Sequence, residues 1–318
     1  MVEIPELKEA EHLITMVIEG RLSSVILVSE AGLGKSHLAS KLTKCLVPDR
    51  HIYSNSHITP LSLYKLLYNN REKIIILDDV EELFANRTAI GILKSALGEV
   101  DGKRKVCYYT TSEKADDVPE SFEFQGGVII LCNEIPCENS PVVRSLASRS
   151  SLCKIYMNYE AKLRTMNQII EERSDLTEDG KALLKDALRQ YTSPCTKDFN
   201  LRTSDRLIAY YQYSKDKDPS NKELYMSLHR ATIETDEAKS LVWELMQGEL
   251  EVKKQVEQFR KMTGHERATF FRIKREFKKE TSLKVSRTNN ETVRLQEIHT
   301  CQEPENKGGV VNGDDKQF

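Results

Sequence analysis

The segment SEAGLGKS (29–36) constrains the fold of this chain more than any other stretch. It follows the apolar run SSVILV (23–28) and leads into KSHLASKLTKCL (35–46), whose apolar residues have helical spacing. It matches the phosphate-binding pattern G-x-x-x-x-G-K-[ST] except at the first glycine, where Ser29 stands. A buried strand, a glycine-containing loop and a helix in this order predict one unit of a parallel α/β sheet.

A phosphate-binding loop needs backbone N–H groups that point inward, a cation and a hydroxyl. Gly32 and Gly34 permit the tight backbone path, Lys35 supplies the cation, and Ser36 supplies a hydroxyl for Mg²⁺. The helix that follows adds the dipole of its N-terminus. A serine at the first position is tolerated if its φ stays negative. We therefore predict a nucleotide site formed by Gly32, Leu33, Gly34, Lys35 and Ser36; the alternative is an ordinary glycine-rich turn.

A second apolar strand, KIIILDD (73–79), ends in two acids. In phosphoryl transfer, a carboxylate near the phosphate loop holds the metal or positions the attacking water. We predict that Asp78 orients Mg²⁺ and that Asp79 polarises the water, with Glu81 and Glu82 as substitutes for Asp79. Taken alone, the two acids are also consistent with a buried strand that ends in solvated carboxylates.

Strand-like and helix-like segments alternate up to about residue 155, which predicts a parallel sheet covered by helices. KVCYYTT (105–111) and FEFQGGVIILCN (122–133) predict two strands joined by a polar loop, the second of them buried. Beyond that point helical spacing dominates. The expected fold class is an α/β core with a phosphate-binding loop, followed by an α-helical lid and a small all-α domain.

Over roughly residues 5–213 the chain resembles the AAA+ ATPases. SEAGLGKS is similar to the Walker A motif of that family, and IIILDD is similar to its Walker B motif. VIILCN ends in Asn133, which resembles the sensor-1 residue beside the γ-phosphate, and NLRTSDR places Arg202 where the family has its sensor-2 arginine. In VVRSLASRS, Arg149 resembles the arginine finger and Arg144 is the second choice.

The resemblance implies ATP as the nucleotide, Mg²⁺ as the cofactor, and a homo-oligomer, either a hexamer or a filament. An arginine supplied by a neighbouring subunit accelerates phosphoryl transfer by about 10³-fold or more, so hydrolysis would depend on assembly. The alternatives are a surface ion pair for each arginine and a turn residue for the asparagine. The predicted catalytic residues are Asp79, Asn133, Arg149 and Arg202.

The chain also departs from the family pattern. Most of the family has glutamate at the position of Asp79. The Asp-Asp ending is similar to the DnaA-like initiators and to the DnaC- and IstB-like loaders, and the shorter side chain favours slow hydrolysis, which suits a switch. The strand at 105–111 resembles an insertion before the sensor-1 strand.

A basic segment near the C-terminus is the second informative stretch. Residues 253–288 contain 12 Lys or Arg and 4 Asp or Glu, a local balance of +8 in a chain of formal net charge −2. Two helices are predicted to meet at Gly264. The buried face of the second is predicted to contain Ala268, Phe271 and Phe277, with Phe270 and Ile273 beside it.

This pair of helices resembles a helix-turn-helix, whose second helix enters the major groove. Double-stranded DNA is therefore a predicted partner. Arg267 and Thr269 are predicted near base edges, and Arg272, Lys274 and Lys278 near phosphates. The alternative is a solvated, lysine-rich helical hairpin.

Other patterns exclude several classes of protein. The seven cysteines contain no C-x-x-C pair, which is typical of free thiols in a reducing compartment. The N-terminus lacks a signal-peptide core, and no apolar run approaches the length that spans a bilayer. We expect a cytoplasmic protein with no membrane partner.

The predicted domains are an AAA+ core (1–155), a lid (156–213), a helix-turn-helix domain (224–288) and a disordered tail (289–318). The expected function is ATP-driven action on DNA: replication initiation, helicase loading or mobile-element target selection. The expected partner protein is a helicase, replication or transposition protein. Two alternatives remain open, an ATP-switched DNA-binding regulator and a protein-remodelling AAA+ ATPase.

Overall fold

The computed structural model describes residues 5–55, 57–109, 117–217, 224–248 and 250–278. The tail that is predicted to be disordered (289–318) lies outside the described residues. The chain divides into two compact units, Met1–Glu234 and Thr235–Phe318.

A parallel sheet is the centre of the first unit. Its strands and those of a separate antiparallel pair are β1 Ser24–Val28, β2 His51–Ser54, β3 Ile74–Asp78, β4 Lys105–Cys107, β5 Ser121–Glu123, β6 Gly127–Cys132 and β7 Ser151–Lys154. The main sheet has the order β2-β3-β6-β1-β7, with every pairing parallel, while β4 and β5 form the antiparallel pair. The predicted parallel α/β core is confirmed.

Helices cover both faces of this sheet. They are α1 Lys8–Ile18, α2 Lys35–Leu46, α3 Pro60–Asn69, α4 Arg87–Leu97 and α5 Pro141–Ala147, with 3-10 helices at Pro5–Leu7 and Glu81–Ala85. Ile26 and Ile75 pack with α3 and α4 on one face, and Val25 and Ile76 pack with α1 and α2 on the other. This two-sided cover explains why β1, β3 and β6 are continuous apolar runs.

The segment 122–133 does not form the single buried strand that the sequence predicted. Its first part, β5, pairs with β4, and its second part, β6, enters the main sheet. The chain changes direction at Gly126, where a Cβ would lie 2.0 Å from the carbonyl oxygen of Lys73, so only glycine fits. Strand β7 was not predicted, because its short, half-buried sequence at the sheet edge carries little apolar signal.

A helical bundle completes the first unit. It comprises α6 Tyr159–Glu171, α7 Glu178–Tyr191, α8 Arg202–Lys217 and α9 Leu224–Thr232, around a core that includes Met166, Leu188 and Leu207. The predicted lid ended before α9, but Tyr225 of α9 is buried edge-on against Tyr211 of α8. The predicted third domain therefore began too early at residue 224, and α9 is part of the first unit.

The second unit contains α10 Glu237–Gln247, α11 Val252–Thr263 and a helix over residues 267–278, which we call α12. Gly264 has a φ of 73° and ends α11, in agreement with the predicted glycine turn. The buried positions of α12 are Phe270, Ile273 and Phe277.

The predicted buried face of α12 is therefore partly wrong. Phe270 packs edge-on against Phe259 of α11 and Phe277 packs against Trp243 of α10, with ring centroids 5.5 and 5.1 Å apart. These partners select the face that contains Phe270. Ala268 is exposed and Phe271 is half-buried.

Candidate nucleotide site and candidate nucleic-acid interface

The loop between β1 and α2 has the backbone path that a phosphate site requires. Gly32 and Gly34 have φ values of 75° and 90°, in the left-handed region that favours glycine. Gly34 is the N-cap of α2 and has no side chain to accept hydrogen bonds from the first-turn N–H groups of the helix. These donors therefore remain for an anion. Ser29, by contrast, is outside the positive-φ region, so the missing glycine leaves the loop unstrained.

Lys35 lies inside this loop with only 6% of its surface exposed. Its Nζ donates to the carbonyl oxygen of Ser29 at 2.7 Å, to Ser29 Oγ at 2.9 Å, to the carbonyl oxygen of Glu30 at 3.2 Å and to Asn133 Oδ1 at 3.2 Å. Burial lowers the pKa of Lys35, and nearby acids, Asp78 among them, oppose that shift. A buried ammonium that is satisfied mainly by neutral oxygens is well prepared to bind a phosphate.

The two predicted acids have different environments. Asp78, the last residue of β3, is 4% exposed and accepts a hydrogen bond from the hydroxyl of Tyr53. Asp79 is exposed and has a φ of 52°, an uncommon value for a residue other than glycine. Its N–H donates to the carbonyl oxygen of Leu131 on β6 at 3.2 Å. The turn at Asp79 therefore directs one acid inward and the next outward.

Asn133 connects the lysine to the outward acid. Its Oδ1 accepts from Lys35 at 3.2 Å, and its Nδ2 donates to Asp79 Oδ1 at 3.4 Å. Its backbone N–H donates to Glu81 Oε1 at 2.7 Å. Lys35, Asp79 and Asn133, which the sequence predicted as separate site residues, thus form one hydrogen-bonded chain at the carboxyl ends of β1, β3 and β6.

The donor set beside the loop fits Mg²⁺. Ser36 offers a hydroxyl and Asp78 a carboxylate, the hard oxygen ligands that Mg²⁺ prefers, and the hydroxyl of Tyr53 donates to Asp78. Among the described residues, no three His, Cys, Asp or Glu side chains converge as a metal cage. Mg²⁺ is commonly bound by one or two protein oxygens together with substrate phosphates, so this small set is sufficient.

Sequence reasoning missed three residues of the site. Tyr53 ends near Asp78, and burial together with that carboxylate raises the pKa of its hydroxyl to about 12. Glu81 was considered only as a substitute for Asp79, yet it holds the backbone of Asn133. Asn200 lies over Gly32, where a Cβ would be 2.6 Å from Asn200 Cγ. The carboxyl-end rule for parallel sheets could have found Tyr53, since it lies on a strand next to β3.

The helical bundle contacts the phosphate loop directly. The N–H of Leu201 donates to the carbonyl oxygen of Gly32 at 3.0 Å, and Lys162 forms an ion pair with Glu30 at 2.6 Å. Arg202 begins α8 immediately after these contacts and its side chain is exposed. The predicted sensor-2 arginine therefore follows the residue that touches the loop.

The predicted arginine finger lies on the surface of the first unit. Arg149 is exposed, and its Nη1 donates to the carbonyl oxygen of Ser145 at 2.6 Å and to Ser145 Oγ at 2.9 Å. Its Nε approaches Gly98 at the end of α4. Arg144 is also exposed. The structure groups neither arginine with the hydrogen-bonded chain at Lys35, as far as the bonds between described residues show.

The predicted DNA-contacting side chains of α12 differ in availability. Arg267 is exposed over the ring of Phe271 at 5.3 Å, and Arg272 pairs with Glu276 at 2.9 Å. Lys274 is half-buried, and its Nζ donates to Gln255 Oε1 at 3.0 Å, so it is less available than predicted. Burial, followed by the charge of Lys278, lowers the pKa of Lys274. Thr269 is half-buried and Lys278 is exposed.

A groove of about 680 Å³ lies between α11 and α12. Apolar surface from Val252, Val256 and Phe271 lines it together with cationic side chains, including those of Arg260 and Arg267. Its lining is both basic and apolar, so its ligand would combine negative charge with apolar groups.

Two further sequence expectations can be compared with the described residues. The cysteines among them are free thiols, as predicted. None of their helices is both long enough and apolar enough to cross a membrane.

Comparison by sequence finds a distant relative but no matching family. No protein-family model matches the chain. An uncharacterised 36.7 kDa protein from the nrdC–mobD intergenic region of Enterobacteria phage T4 is 28% identical over 170 residues, 48% of this chain and 52% of that protein. The chain thus spans about half the length of the curated relative that it matches.

The solved structures that resemble the chain share little sequence with it. Domain III of the Thermotoga maritima replication initiation protein DnaA aligns over 72% of this chain and 92% of its own, with 19% identity and a TM-score of 0.45. The Aeropyrum pernix ORC2 protein in its ADP form aligns over 89% of this chain and 86% of its own, with 15% identity and a TM-score of 0.51. With the parallel sheet, phosphate loop and helical bundle described above, the likeness to ORC2 shows that the chain has the same α/β fold as that protein.

Proposed function

We propose that this protein is a Mg²⁺-dependent AAA+ ATPase that binds and hydrolyses ATP and acts on double-stranded DNA. The observation that carries the proposal is the hydrogen-bonded chain from Lys35 through Asn133 to Asp79, beside buried Asp78. This chain joins Lys35, the cation that would bind phosphate, to Asp79, the exposed acid that would orient water. The similar ORC2 structure is described as an ADP form, which supports a nucleotide as the ligand.

We assign a role in the proposed reaction to each predicted side chain. Lys35 and the first-turn N–H groups of α2 bind the β- and γ-phosphates. Ser36 and Asp78 would hold Mg²⁺, which neutralises charge that develops on the phosphates. Asp79 orients the attacking water, and Asn133 holds Asp79 at a fixed distance from the lysine. Arg202 of α8 and Arg149 of a neighbouring subunit complete the charge balance in a homo-oligomer, a hexamer or a filament.

The second unit is the proposed DNA-binding element, a helix-turn-helix. The helix α12 follows a glycine turn, and its exposed cations lie opposite a well-packed aromatic face. Arg267 and Thr269 would approach base edges, and Arg272, Lys274 and Lys278 would approach phosphates. The proposed biological role is replication initiation, helicase loading or mobile-element target selection, with a helicase, replication or transposition protein as partner.

The test is ATP binding and hydrolysis by the full chain with and without duplex DNA, together with its size in solution. Lys35→Ala should weaken ATP binding by at least about tenfold, because it removes a charged hydrogen bond to phosphate. Lys44→Ala is the matched control, since Lys44 is an exposed lysine on the same helix. Equal ATP affinity of the Lys35→Ala variant and the parent would refute the nucleotide site.

The DNA result separates the alternatives. DNA-stimulated hydrolysis supports the main proposal, and DNA binding with negligible hydrolysis supports an ATP-switched regulator. The basic and apolar groove between α11 and α12 favours one further candidate, in which the second unit binds a partner protein and the ATPase remodels proteins. ATP hydrolysis with no salt-dependent affinity for duplex DNA would favour that candidate.

A further inference from the structure

Tyr53 has a contact pattern that the proposed mechanism does not use. It lies on β2, the edge strand of the sheet, and its side chain is 39% exposed. Its hydroxyl nevertheless reaches inward to the carboxylate of Asp78, which is almost completely buried. An exposed ring thus places its one polar atom against a buried carboxylate.

Ser36 and Asp78 come from different elements, the first turn of α2 and the end of β3. They are the two side chains proposed to hold Mg²⁺. The Tyr53 hydroxyl has one proton and donates it to Asp78. A Mg²⁺ ion bound by that carboxylate at about 2.0–2.1 Å would need a lone pair of the same group, so the hydroxyl and the metal compete for Asp78.

The exposed acid is outside this arrangement. Asp79 points away from Asp78 and is bound through Asn133. The Tyr53 hydroxyl is therefore hydrogen-bonded to the proposed metal ligand Asp78, whereas the residue proposed to orient water is bonded to Asn133. Because β2 pairs with β3 on one side only, the ring can also rotate outward without opening the core.

We propose that the Tyr53 hydroxyl competes with Mg²⁺ for the carboxylate of Asp78 and so raises the Mg²⁺ concentration needed for tight nucleotide binding. This inference rests on the proposed function, because it assigns Ser36 and Asp78 to the metal. The hydroxyl of Tyr53 donates to the carboxylate that would hold the metal. Mg²⁺ held by Asp78 together with a nucleotide phosphate would displace the hydroxyl, and the exposed ring has room to turn outward. Tyr53 acts as a positioning residue and takes no part in the transfer step.

The experiment measures ATP affinity of the full chain by calorimetry over a series of Mg²⁺ concentrations and in EDTA. Tyr53→Phe keeps the ring and removes the hydroxyl. We expect it to lower the Mg²⁺ concentration for half-maximal tightening about tenfold, the scale of one hydrogen bond to a charged group. Asp78→Asn should shift that midpoint the opposite way. Tyr213→Phe, an exposed tyrosine of α8, is the matched control and should leave the midpoint where the parent has it.

A second readout and a second variant keep the result clear. Binding of Mn²⁺ in the presence of ATP, followed by electron paramagnetic resonance, should tighten in Tyr53→Phe by the same factor. Tyr53→Leu should show the same direction of change, and cooperative thermal unfolding establishes that each variant is folded.

Several outcomes would overturn the inference. An unchanged or higher Mg²⁺ midpoint in Tyr53→Phe would mean that the hydroxyl does not obstruct the site. An equal change of ATP affinity in EDTA would mean that Tyr53 acts on the phosphate loop and not on Mg²⁺ binding. If the parent binds ATP in a Mg²⁺-dependent way but the Tyr53 variants have the same Mg²⁺ midpoint as the parent, this inference alone fails. If the parent binds no ATP at all, the proposed function fails with it.

Discussion

The contact between the helical bundle and the phosphate loop predicts a specific penalty at Gly32. Its φ of 75° costs an alanine about 1–2 kcal/mol in backbone strain. A Cβ there would also lie 2.6 Å from the Asn200 side chain, which must move. That movement breaks the bond from the N–H of Arg202 to Asn200 Oδ1 at 3.0 Å, a capping interaction with a typical value of about 1 kcal/mol. Gly32→Ala should therefore destabilise the first unit by about 2–3 kcal/mol.

Gly20 provides the matched control. Its φ of 74° is nearly the same, but nothing lies within 4 Å of a Cβ placed there. Gly20→Ala should therefore show the backbone cost alone, about 1–2 kcal/mol. In the background of Asn200→Ala, the cost of Gly32→Ala should fall towards that value, since the two Asn200 atoms at 2.6 Å are removed and only the Cβ of residue 200, at 3.1 Å, remains. The double-mutant cycle should give a coupling of about 1 kcal/mol.

Urea unfolding followed by far-UV circular dichroism measures these free energies. Trp243 lies in the second unit, so its fluorescence reports the unfolding of that unit separately. Strict additivity of Gly32→Ala and Asn200→Ala would refute the close approach of the bundle to the loop. So would equal destabilisation by Gly32→Ala and Gly20→Ala.

Four further predictions concern the acid, the subunit contact, pH and DNA. Asp79→Asn should retain ATP binding and stall hydrolysis, because the metal ligand remains; hydrolysis at the parent rate in a steady-state assay contradicts this. Arg149→Ala should bind ATP and hydrolyse it poorly, and mixing it with Lys35→Ala chains should partly restore turnover; a parent rate independent of protein concentration excludes a site shared between subunits. Burial lowers the pKa of His229 to about 4 from an ordinary value near 6.5, so its contribution to stability is present above pH 6.5 and is lost as the pH falls towards 4; His229→Leu should flatten urea-unfolding stability over that range. Arg267→Ala should reduce discrimination between DNA sequences by about 1–3 kcal/mol in competition binding, and an unchanged preference argues against base contact.

The sequence predicted the site where local pattern and sheet geometry agree. The Gly32–Gly34 loop, the acids after β3 and Asn133 after β6 all lie at carboxyl ends of parallel strands, and the topology brings them together. Apolar runs identified β1, β3 and β6 because each is buried on both faces.

Prediction failed where neighbours distant in sequence decide the outcome. The face that α12 buries depends on Phe259 and Trp243, since Phe270 and Phe271 are equally apolar in the sequence. The split of 122–133 depends on Gly126 meeting the backbone of Lys73. Asn200 was unidentifiable because its role arises from contact with Gly32, more than 150 residues earlier in the chain.

The contacts of Lys35 suggest how ATP binding would be transmitted to the rest of the first unit. Its ammonium donates to Ser29 and Asn133, and the amide of Asn133 is shared between Lys35 and Asp79. A phosphate that takes over the ammonium would release the amide of Asn133 from Lys35, so that its Nδ2 could donate to the γ-phosphate. The same loop binds Leu201 through the carbonyl oxygen of Gly32, so a shift of the loop also moves the start of α8 and Arg202. The phosphate loop thus contacts Asn133, which is bonded to Asp79, and also contacts the helical bundle. A movement of the loop on ATP binding would therefore reach both directly.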